Sequence, residues 1–243
     1  MPSLTLSDRL IWFAHCPKAG GTSIERLMVD TWGEAVGHLH WGWDLWWRRG
    51  GWRSAGIANS PQHLVWRDAQ AILPRAPDVV FALVRAPLAR MQSEHRWQRH
   101  GRRGTLLGKT LAALPFSIWI RIMLALASRS PHAFDNHFRT QSDFIPPQAV
   151  IFRLEDGLTP VAAWLSEETR TALPPPTHAL RTADPGDQAD PRDAALIARV
   201  FASDHSRFGY SLPAECDPGR PILDGLAAFL ARALAPFDAR GLL

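Results

Sequence analysis

The sequence predicts an α/β protein in which a central parallel sheet is flanked by helices. Buried-strand patterns at residues 10–14, 78–84 and 149–154 alternate with helical patterns along the chain, which is the order typical of parallel α/β sheets. A glycine pair stands between the first strand pattern and its helix. The length of 243 residues suffices for one large domain or two small ones. Because no change of composition marks a boundary, we expect residues 1–243 to form a single domain.

The first strand and helix are predicted from the hydrophobic pattern. Residues 10–14 (LIWFA) are a short continuous apolar run, which is typical of a strand buried on both faces. Thr22 and Glu25 have the spacing of a capping box, and Ile24 and Leu27 begin a helical apolar pattern. The sequence therefore predicts a helix that begins near Thr22, directly after the glycine-containing loop.

The later elements follow the same logic. Residues 78–84 (DVVFALV) and 149–154 (AVIFRL) repeat the buried-strand pattern, and a helical pattern follows Pro87. Residues 173–193 are rich in proline and aspartate without periodicity, which predicts a loop. Apolar spacing predicts further helices over residues 163–173, 194–202 and 221–234.

One apolar segment approaches the length of a membrane span. Residues 110–127 (TLAALPFSIWIRIMLALA) contain Pro115, and Arg121 lies near their middle. An arginine at the centre of a spanning helix costs at least ~2.5 kcal/mol, and a proline interrupts the helical pattern. We therefore expect a buried or surface-docked helix here, and no membrane span.

Charge and cysteine content restrict the class of protein. A formal net charge of +4 suits an anionic ligand but is small for a protein dedicated to nucleic acids. Cys16 and Cys216 are too few and too far apart for a disulfide framework or a zinc site. The N-terminal residues lack the pattern of a signal peptide. We expect a cytoplasmic protein without a nucleic-acid partner or a bound metal, and the oligomeric state stays open.

Residues 14–25 (AHCPKAGGTSIE) have the chemistry of an anion site. A loop that leaves a buried strand and enters a helix directs backbone N–H groups and the positive end of the helix dipole toward one point. Glycines let the backbone approach a bound anion closely, Lys18 adds a positive charge, and Thr22 and Ser23 add hydroxyl donors. The sequence predicts that this loop binds phosphate or sulfate.

The loop differs from that of the nucleotide triphosphatases. Their motif, G-x-x-x-x-G-K-[ST], places the lysine after the glycines, whereas Lys18 precedes them. The second strand pattern ends at Arg85, where a magnesium-dependent enzyme needs an acidic residue. A nucleotide-dependent kinase is therefore disfavoured, and Arg85 predicts a second anion. The other alternative is a protein that binds nucleotide or glycan without turnover.

Two motifs resemble those of the sulfotransferases that use 3′-phosphoadenosine 5′-phosphosulfate, especially the carbohydrate-modifying branch. Residues 15–23 (HCPKAGGTS) resemble the 5′-phosphosulfate loop, H-x-P-K-[TA]-[GA]-G-T-[ST]. Residues 81–93 (FALVRAPLARMQS) resemble the 3′-phosphate strand and helix, F-x-x-V-R-[DN]-P-x-x-R-x-x-S. Weaker similarity at residues 135–142 and 152–156 extends the resemblance over roughly residues 10–210, and the C-terminal part carries none of it. Ala86 departs from the second motif, which has Asp or Asn there.

The resemblance implies a fold, a reaction and a set of donor-binding residues. The fold would be a P-loop-NTPase-like three-layer sandwich. The reaction would be in-line transfer of a sulfuryl group to a hydroxyl of a carbohydrate or glycoconjugate, with 3′-phosphoadenosine 5′-phosphosulfate as co-substrate and without metal. Lys18 would also be catalytic, because it stabilises the charge on the bridging oxygen as the sulfuryl group leaves. The implied donor-binding residues are Pro17, Lys18, Ala19, Gly20, Gly21, Thr22 and Ser23 for the 5′-phosphosulfate, and Arg85 and Ser93 for the 3′-phosphate.

The acceptor side depends on a general base and on sugar-binding residues. We expect His63 to be the base, because the related carbohydrate enzymes place a histidine base between the two phosphate motifs. His15, His38, His40 and Glu25 remain open as alternatives. Residues 38–53 are rich in tryptophan beside arginine, which fits a glycan site and equally fits a hydrophobic core. The residues predicted to bind the acceptor are His40, Trp43, Asn136 and Arg139.

Overall fold

The computed structural model describes residues 1–37, 59–71, 73, 75–100, 106–130, 133–176, 189–214 and 217–238. The chain divides into two units. The first unit comprises Met1–Arg85 and Gln141–Arg181, and the second comprises Ala86–Thr140 and Thr182–Leu243. The single domain expected over residues 1–243 stays a prediction.

The first unit contains a mixed sheet. Its described residues include five strands, which lie in the order β3-β1-β2-β4-β5. Strand β2 pairs in parallel with β4, and β4 pairs in parallel with β5, whereas β1 pairs antiparallel with both β2 and β3. The strands are β1 (Ser3–Leu6), β2 (Arg9–His15), β3 (Val36–Gly37), β4 (Val79–Val84) and β5 (Val150–Arg153).

The α/β class and the three predicted strands are confirmed. The predicted parallel sheet is found only in part, because β2, β4 and β5 are parallel but β1 makes the sheet mixed. The antiparallel edge begins with a hairpin, in which Leu6 pairs with Arg9 across a two-residue turn. Ser7 in this turn has a φ of 54°, the left-handed conformation that tight hairpin turns require. A two-residue turn can join only antiparallel strands, so β1 and β2 run in opposite directions.

The predicted helices form, with shifted ends. The apolar segment at residues 110–127 is divided before Phe116, as expected from Pro115, and the pattern at 194–202 is divided at Phe201. In the part of the chain that the structure describes, no helix is both long enough and apolar enough to cross a membrane. The described helices are α1 (Gly21–Trp32), α2 (Trp66–Gln70), α3 (Pro87–His100), α4 (Leu106–Ala112), α5 (Phe116–Ala127), α6 (Thr159–Thr169), α7 (Pro191–Val200), α8 (Ala202–Phe208) and α9 (Pro221–Asp238).

Helices cover both faces of the parallel part of the sheet. On one face, Phe13 of β2 stacks on Phe81 of β4 with ring centroids 4.9 Å apart. Apolar residues of α1 and α6 complete this core, among them Ile24 and Val161. On the other face, Trp12 stacks on Trp66 of α2 with ring centroids 4.8 Å apart. Burial on both faces explains why β2 and β4 read as continuous apolar runs.

A carboxylate links the beginnings of β2 and β4. Asp78 accepts hydrogen bonds from the Leu10 backbone N–H at 2.7 Å and from the Arg75 guanidinium, whose Nη2 lies 2.8 Å away. The Arg75 hydrogen bond is the main cause that lowers the pKa of Asp78 to about 2, and the Leu10 N–H lowers it further. These contacts align the two strands from which the candidate site extends.

The second unit is helical in its described residues. Its core is formed by apolar side chains of α3, α4, α5, α7 and α9, with Trp119 at 0% exposure among them. Arg90 of α3 is also fully buried, and its guanidinium lies 5.0 Å from the ring centroid of Phe201. The same guanidinium donates to the carbonyls of His137 at 3.1 Å and Arg139 at 2.6 Å. Arg90 therefore holds the backbone of residues 137–139 against α3.

Candidate anion-binding site

The candidate site lies at the carboxyl ends of two neighbouring parallel strands in the first unit. Strand β2 ends at His15, which is paired with Leu83 of β4, and Arg85 follows two residues later. Parallel strands bring their carboxyl ends to the same edge of a sheet, where ligands of open α/β sheets bind. The loop of residues 16–20 and the side chain of Arg85 therefore begin at adjacent points.

The loop backbone is held in left-handed conformations at two positions. Lys18 has a φ of 64° and Gly20 has a φ of 86°. The Ala19 N–H donates to the Cys16 carbonyl at 3.4 Å, and the Ser23 N–H donates to the Gly20 carbonyl at 3.1 Å. Turns of this kind gather backbone N–H groups into concave anion-binding arrays. Because a left-handed lysine costs roughly 1 kcal/mol or more, its presence in such a turn is typical of a functional loop.

Helix α1 begins at Gly21 and presents its N-terminus to this loop. Gly20 is the N-cap residue, no side chain caps the helix, and the first turn of α1 contains no acidic residue. The predicted capping box between Thr22 and Glu25 is therefore wrong. The positive end of the helix dipole is not neutralised by a side chain of its own first turn, which favours a bound anion there.

Glu25 lies in a largely buried polar cluster with residues of β2 and of the turn Pro61–His63. Its side chain is 1% exposed, and Oε2 lies 3.6 Å from Nδ1 of His15 and accepts a hydrogen bond from Gln62 Nε2 at 3.1 Å. His63, in the short helical turn Pro61–His63, packs edge-on against the His15 ring with centroids 5.3 Å apart. Three of the residues considered for the general base, His63, His15 and Glu25, thus lie together in the first unit.

The second glycine of the loop is required by the His15 ring. A Cβ atom built on Gly21 would overlap Cδ2 and Nε2 of His15 and would lie 2.8 Å from Cε1. His15 is 3% exposed and its ring also stacks on Phe13, so it has little room to move. The glycine at position 21 thus allows the histidine of β2 to pack directly against the start of α1.

We expect Gly21→Ala to lower the free energy of unfolding by about 1–3 kcal/mol, because the added methyl group overlaps a buried ring. In a His15→Ala background the same substitution should cost less than about 1 kcal/mol, since the ring is gone. Denaturant unfolding of the four proteins measures both values. Gly37→Ala is the matched control, because its Cβ would lie 3.6 Å from Ser3 Oγ, an ordinary contact. An equal cost of Gly21→Ala in both backgrounds would show that the ring is not the obstacle.

Arg85 contacts the loop directly. Its Nη1 donates to the Lys18 carbonyl at 3.4 Å, and the side chain is partly exposed. The Arg85 guanidinium and the Lys18 peptide therefore lie together at the ends of the two strands. The roles predicted for these residues in donor binding stay predictions.

The other predicted site residues fall in different parts of the chain. Ser93 is a half-buried residue of α3, in the second unit. Asn136 is fully buried in the same unit and accepts a hydrogen bond from Arg139 Nε at 3.0 Å. His40 and Trp43, like the alternative base His38, lie outside the described residues. These assignments also stay predictions.

Sequence reasoning missed one residue of the site, Gln141. Its side chain is fully buried and hydrogen-bonds to the backbone of Arg85 at two points. Only the weak similarity of residues 135–142 to a family segment pointed to this region, and it assigned Gln141 no role. No local pattern reveals a pairing across 56 positions of the chain.

No protein-family model, curated protein or solved structure matches this chain. Its function is therefore inferred from its own residues and their geometry.

Proposed function

We propose that this protein is a sulfotransferase. It moves a sulfuryl group from 3′-phosphoadenosine 5′-phosphosulfate to a hydroxyl of a carbohydrate or glycoconjugate acceptor, by in-line transfer that needs no metal. The observation that carries the proposal is the contact between Arg85 and the Lys18 peptide at 3.4 Å. This contact places the anion loop and the Arg85 guanidinium side by side at adjacent strand ends. A donor that carries charged groups at both its 5′ and 3′ positions needs two such anion-binding groups.

The loop supplies the groups that such a donor needs at its 5′ end. Backbone N–H groups at the start of α1 and the hydroxyls of Thr22 and Ser23 donate hydrogen bonds to the phosphosulfate oxygens. The Lys18 ammonium neutralises charge on the bridging oxygen. Transfer then depends on positioning and fixed electrostatics. Arg85 binds the 3′-phosphate through its planar guanidinium, which suits two-point binding of phosphate.

The acceptor hydroxyl needs a base, and His63 fills that role in this proposal. Its ring contacts His15, whose Nδ1 lies 3.6 Å from the buried carboxylate of Glu25. A carboxylate behind a histidine pair stabilises the positive charge that forms when a proton is taken up. The P-loop-NTPase-like layering is also part of the proposal, and the parallel order β2-β4-β5 with a glycine loop between β2 and α1 supports it.

Calorimetric titration with 3′-phosphoadenosine 5′-phosphate, in the presence of a chelator, tests the donor class. We expect tight binding without metal, and little binding of ATP with magnesium. The Arg85→Ala variant should bind 3′-phosphoadenosine 5′-phosphate about 10- to 100-fold more weakly, because it loses the hydrogen bonds between the charged guanidinium and the 3′-phosphate. Its affinity for adenosine 5′-phosphosulfate, which lacks the 3′-phosphate, should change little.

Arg9→Ala is the matched control for this experiment, because Arg9 lies at the opposite end of β2 and pairs with Glu168. It should leave both affinities unchanged. Magnesium-dependent binding of ATP in place of 3′-phosphoadenosine 5′-phosphate would indicate a nucleotide-dependent kinase instead. Equal weakening of both nucleotides by Arg85→Ala would remove Arg85 from 3′-phosphate recognition.

A further inference from the structure

The side chain of Gln141 extends the hydrogen bonding of the sheet beyond the end of β4. In the described part of the chain, the last residue pair between β4 and β5 is Val84 with Arg153, so this ladder ends one residue before Arg85. The Arg85 N–H instead donates to Gln141 Oε1 at 2.9 Å, and Gln141 Nε2 donates to the Arg85 carbonyl at 2.9 Å. One amide group thus satisfies both backbone groups of Arg85, as a strand would.

Gln141 is itself held rigidly. It is 0% exposed and opens the short helical turn Gln141–Asp143, in which its carbonyl accepts from the Phe144 N–H at 3.1 Å. The same carbonyl lies 3.9 Å from the Cys16 thiol, in the anion loop. A buried side chain with two hydrogen bonds and a fixed backbone has few alternative positions. Its hydrogen bonds therefore restrict the position of the Arg85 backbone as well.

The contacts of Gln141 continue into the loop through Arg85. Arg85 Nη1 donates to the Lys18 carbonyl, which belongs to a left-handed residue. Ala86, the residue after Arg85, has no polar side chain that could hold the turn at the end of β4. The Gln141 amide thus contacts the Arg85 backbone and the Lys18 carbonyl contacts its guanidinium, and both contacts restrict the orientation of that side chain.

We propose that Gln141 is a positioning residue that sets selectivity for nucleotides with a 3′-phosphate. This inference rests on the proposed function, because it assigns the selectivity to the Arg85 contact. Bidentate binding of phosphate by arginine depends on the direction of the guanidinium plane, so a displaced Arg85 backbone weakens that contact. The 5′-phosphosulfate is bound by the loop N–H groups and Lys18, and it is affected much less.

Titration of the Gln141→Met variant tests the proposal. Methionine has a similar length but no strong donor or acceptor, so both hydrogen bonds to Arg85 are lost. We expect the Kd for 3′-phosphoadenosine 5′-phosphate to rise about tenfold and the Kd for adenosine 5′-phosphosulfate less than about twofold. Gln141→Glu, which keeps one acceptor but directs a second oxygen at the Arg85 carbonyl, should change the ratio in the same direction. It replaces Gln141→Met if that variant does not fold.

The control is Gln98→Met. Gln98 also uses both ends of its side-chain amide, in two partly buried hydrogen bonds to other side chains of the second unit. It donates to Glu94 at 2.8 Å and accepts from Trp119 at 3.1 Å. Its loss should lower thermal stability but leave the ratio of the two affinities unchanged. An unchanged ratio in folded Gln141→Met and Gln141→Glu would overturn the proposal, and so would an equal loss for both nucleotides. If the wild-type protein shows no preference for the 3′-phosphate, the proposed function fails and this inference fails with it.

Discussion

Lys18→Ala is expected to lower sulfuryl transfer about 10²- to 10³-fold, which is the usual effect of removing one charge-stabilising donor from a transition state. The variant isolates the ammonium group. Lysine and alanine both carry a Cβ, so the left-handed backbone at position 18, with φ of 64°, is equally strained in both. Arg85 donates to the backbone carbonyl of residue 18, and that contact also remains.

Formation of 3′-phosphoadenosine 5′-phosphate measures the rate, because this product forms whichever hydroxyl receives the sulfuryl group. A mixture of oligosaccharides serves as acceptor. Affinity for 3′-phosphoadenosine 5′-phosphate should change much less than turnover, since Lys18 acts mainly on charge that develops during transfer. The other lysine of the chain, Lys109, is exposed on α4, and Lys109→Ala should leave the rate unaltered. A Lys18→Ala enzyme with normal turnover would show that Lys18 has no part in the reaction.

The elements of the candidate site were predictable where the signal is local. Three signals lie close together in the sequence: the apolar run before Cys16, the two glycines, and the helical pattern after them. Each of them favours the same strand-loop-helix unit. The position of Arg85 followed from the second strand pattern in the same way. These features need no knowledge of distant contacts, and the structure places them at adjacent strand ends.

The capping box failed because a spacing rule competed with a tertiary contact. Glu25 has the correct distance from Thr22 along the chain, but its carboxylate lies beside Gln62 and His15, which come from other elements. The hydrogen bond from Gln62 and the packing against His15 direct this carboxylate away from the N-cap position of its own helix. The role of Gly21 was missed in part for a similar reason, since only the folded chain shows that the His15 ring fills the space of a side chain.

The antiparallel edge and Gln141 were beyond the reach of local patterns. Strand β1 has only four residues, and its pairing with β2 depends on a turn of two residues that are common in loops of every kind. Gln141 lies in a short helical turn between polar residues, and its partner is 56 positions away. From the sequence alone, such a residue is assigned to a loop. That assignment does not predict that its side-chain amide is buried and hydrogen-bonded.

Arg121 illustrates the same limit in the second unit. From the sequence, Arg121 served only as an argument against a membrane span. The structure shows a charge network around it. Its guanidinium forms an ion pair with Asp193 of α7, donates to the Pro218 carbonyl at 2.8 Å, and lies 3.0 Å from Asp224 of α9. Both partners of the Asp193 pair are nearly inaccessible, with side chains 2% and 0% exposed. One charge thus connects α5 to two other helices.

We expect Arg121→Met to lower the free energy of unfolding by about 3–5 kcal/mol, because it leaves the Asp193 carboxylate buried without its counter-charge. Denaturant unfolding followed by circular dichroism measures the loss. Arg199→Met is the matched control, since Arg199 is exposed near the end of α7 and its replacement should cost less than about 0.5 kcal/mol.

The double variant Arg121→Met/Asp193→Leu separates the worth of the ion pair from the cost of an orphaned charge. Apolar replacement of both partners of a buried pair is often neutral, so the double variant should recover most of the stability lost in Arg121→Met. The Ser117 hydroxyl, which donates to Asp193, then loses an acceptor, and this should keep the recovery incomplete by about 1 kcal/mol. If Arg121→Met costs no more than Arg199→Met, the network does not hold the helices together. If the double variant is as unstable as Arg121→Met, the loss comes from packing of the arginine stem and not from the unpaired buried charge of Asp193.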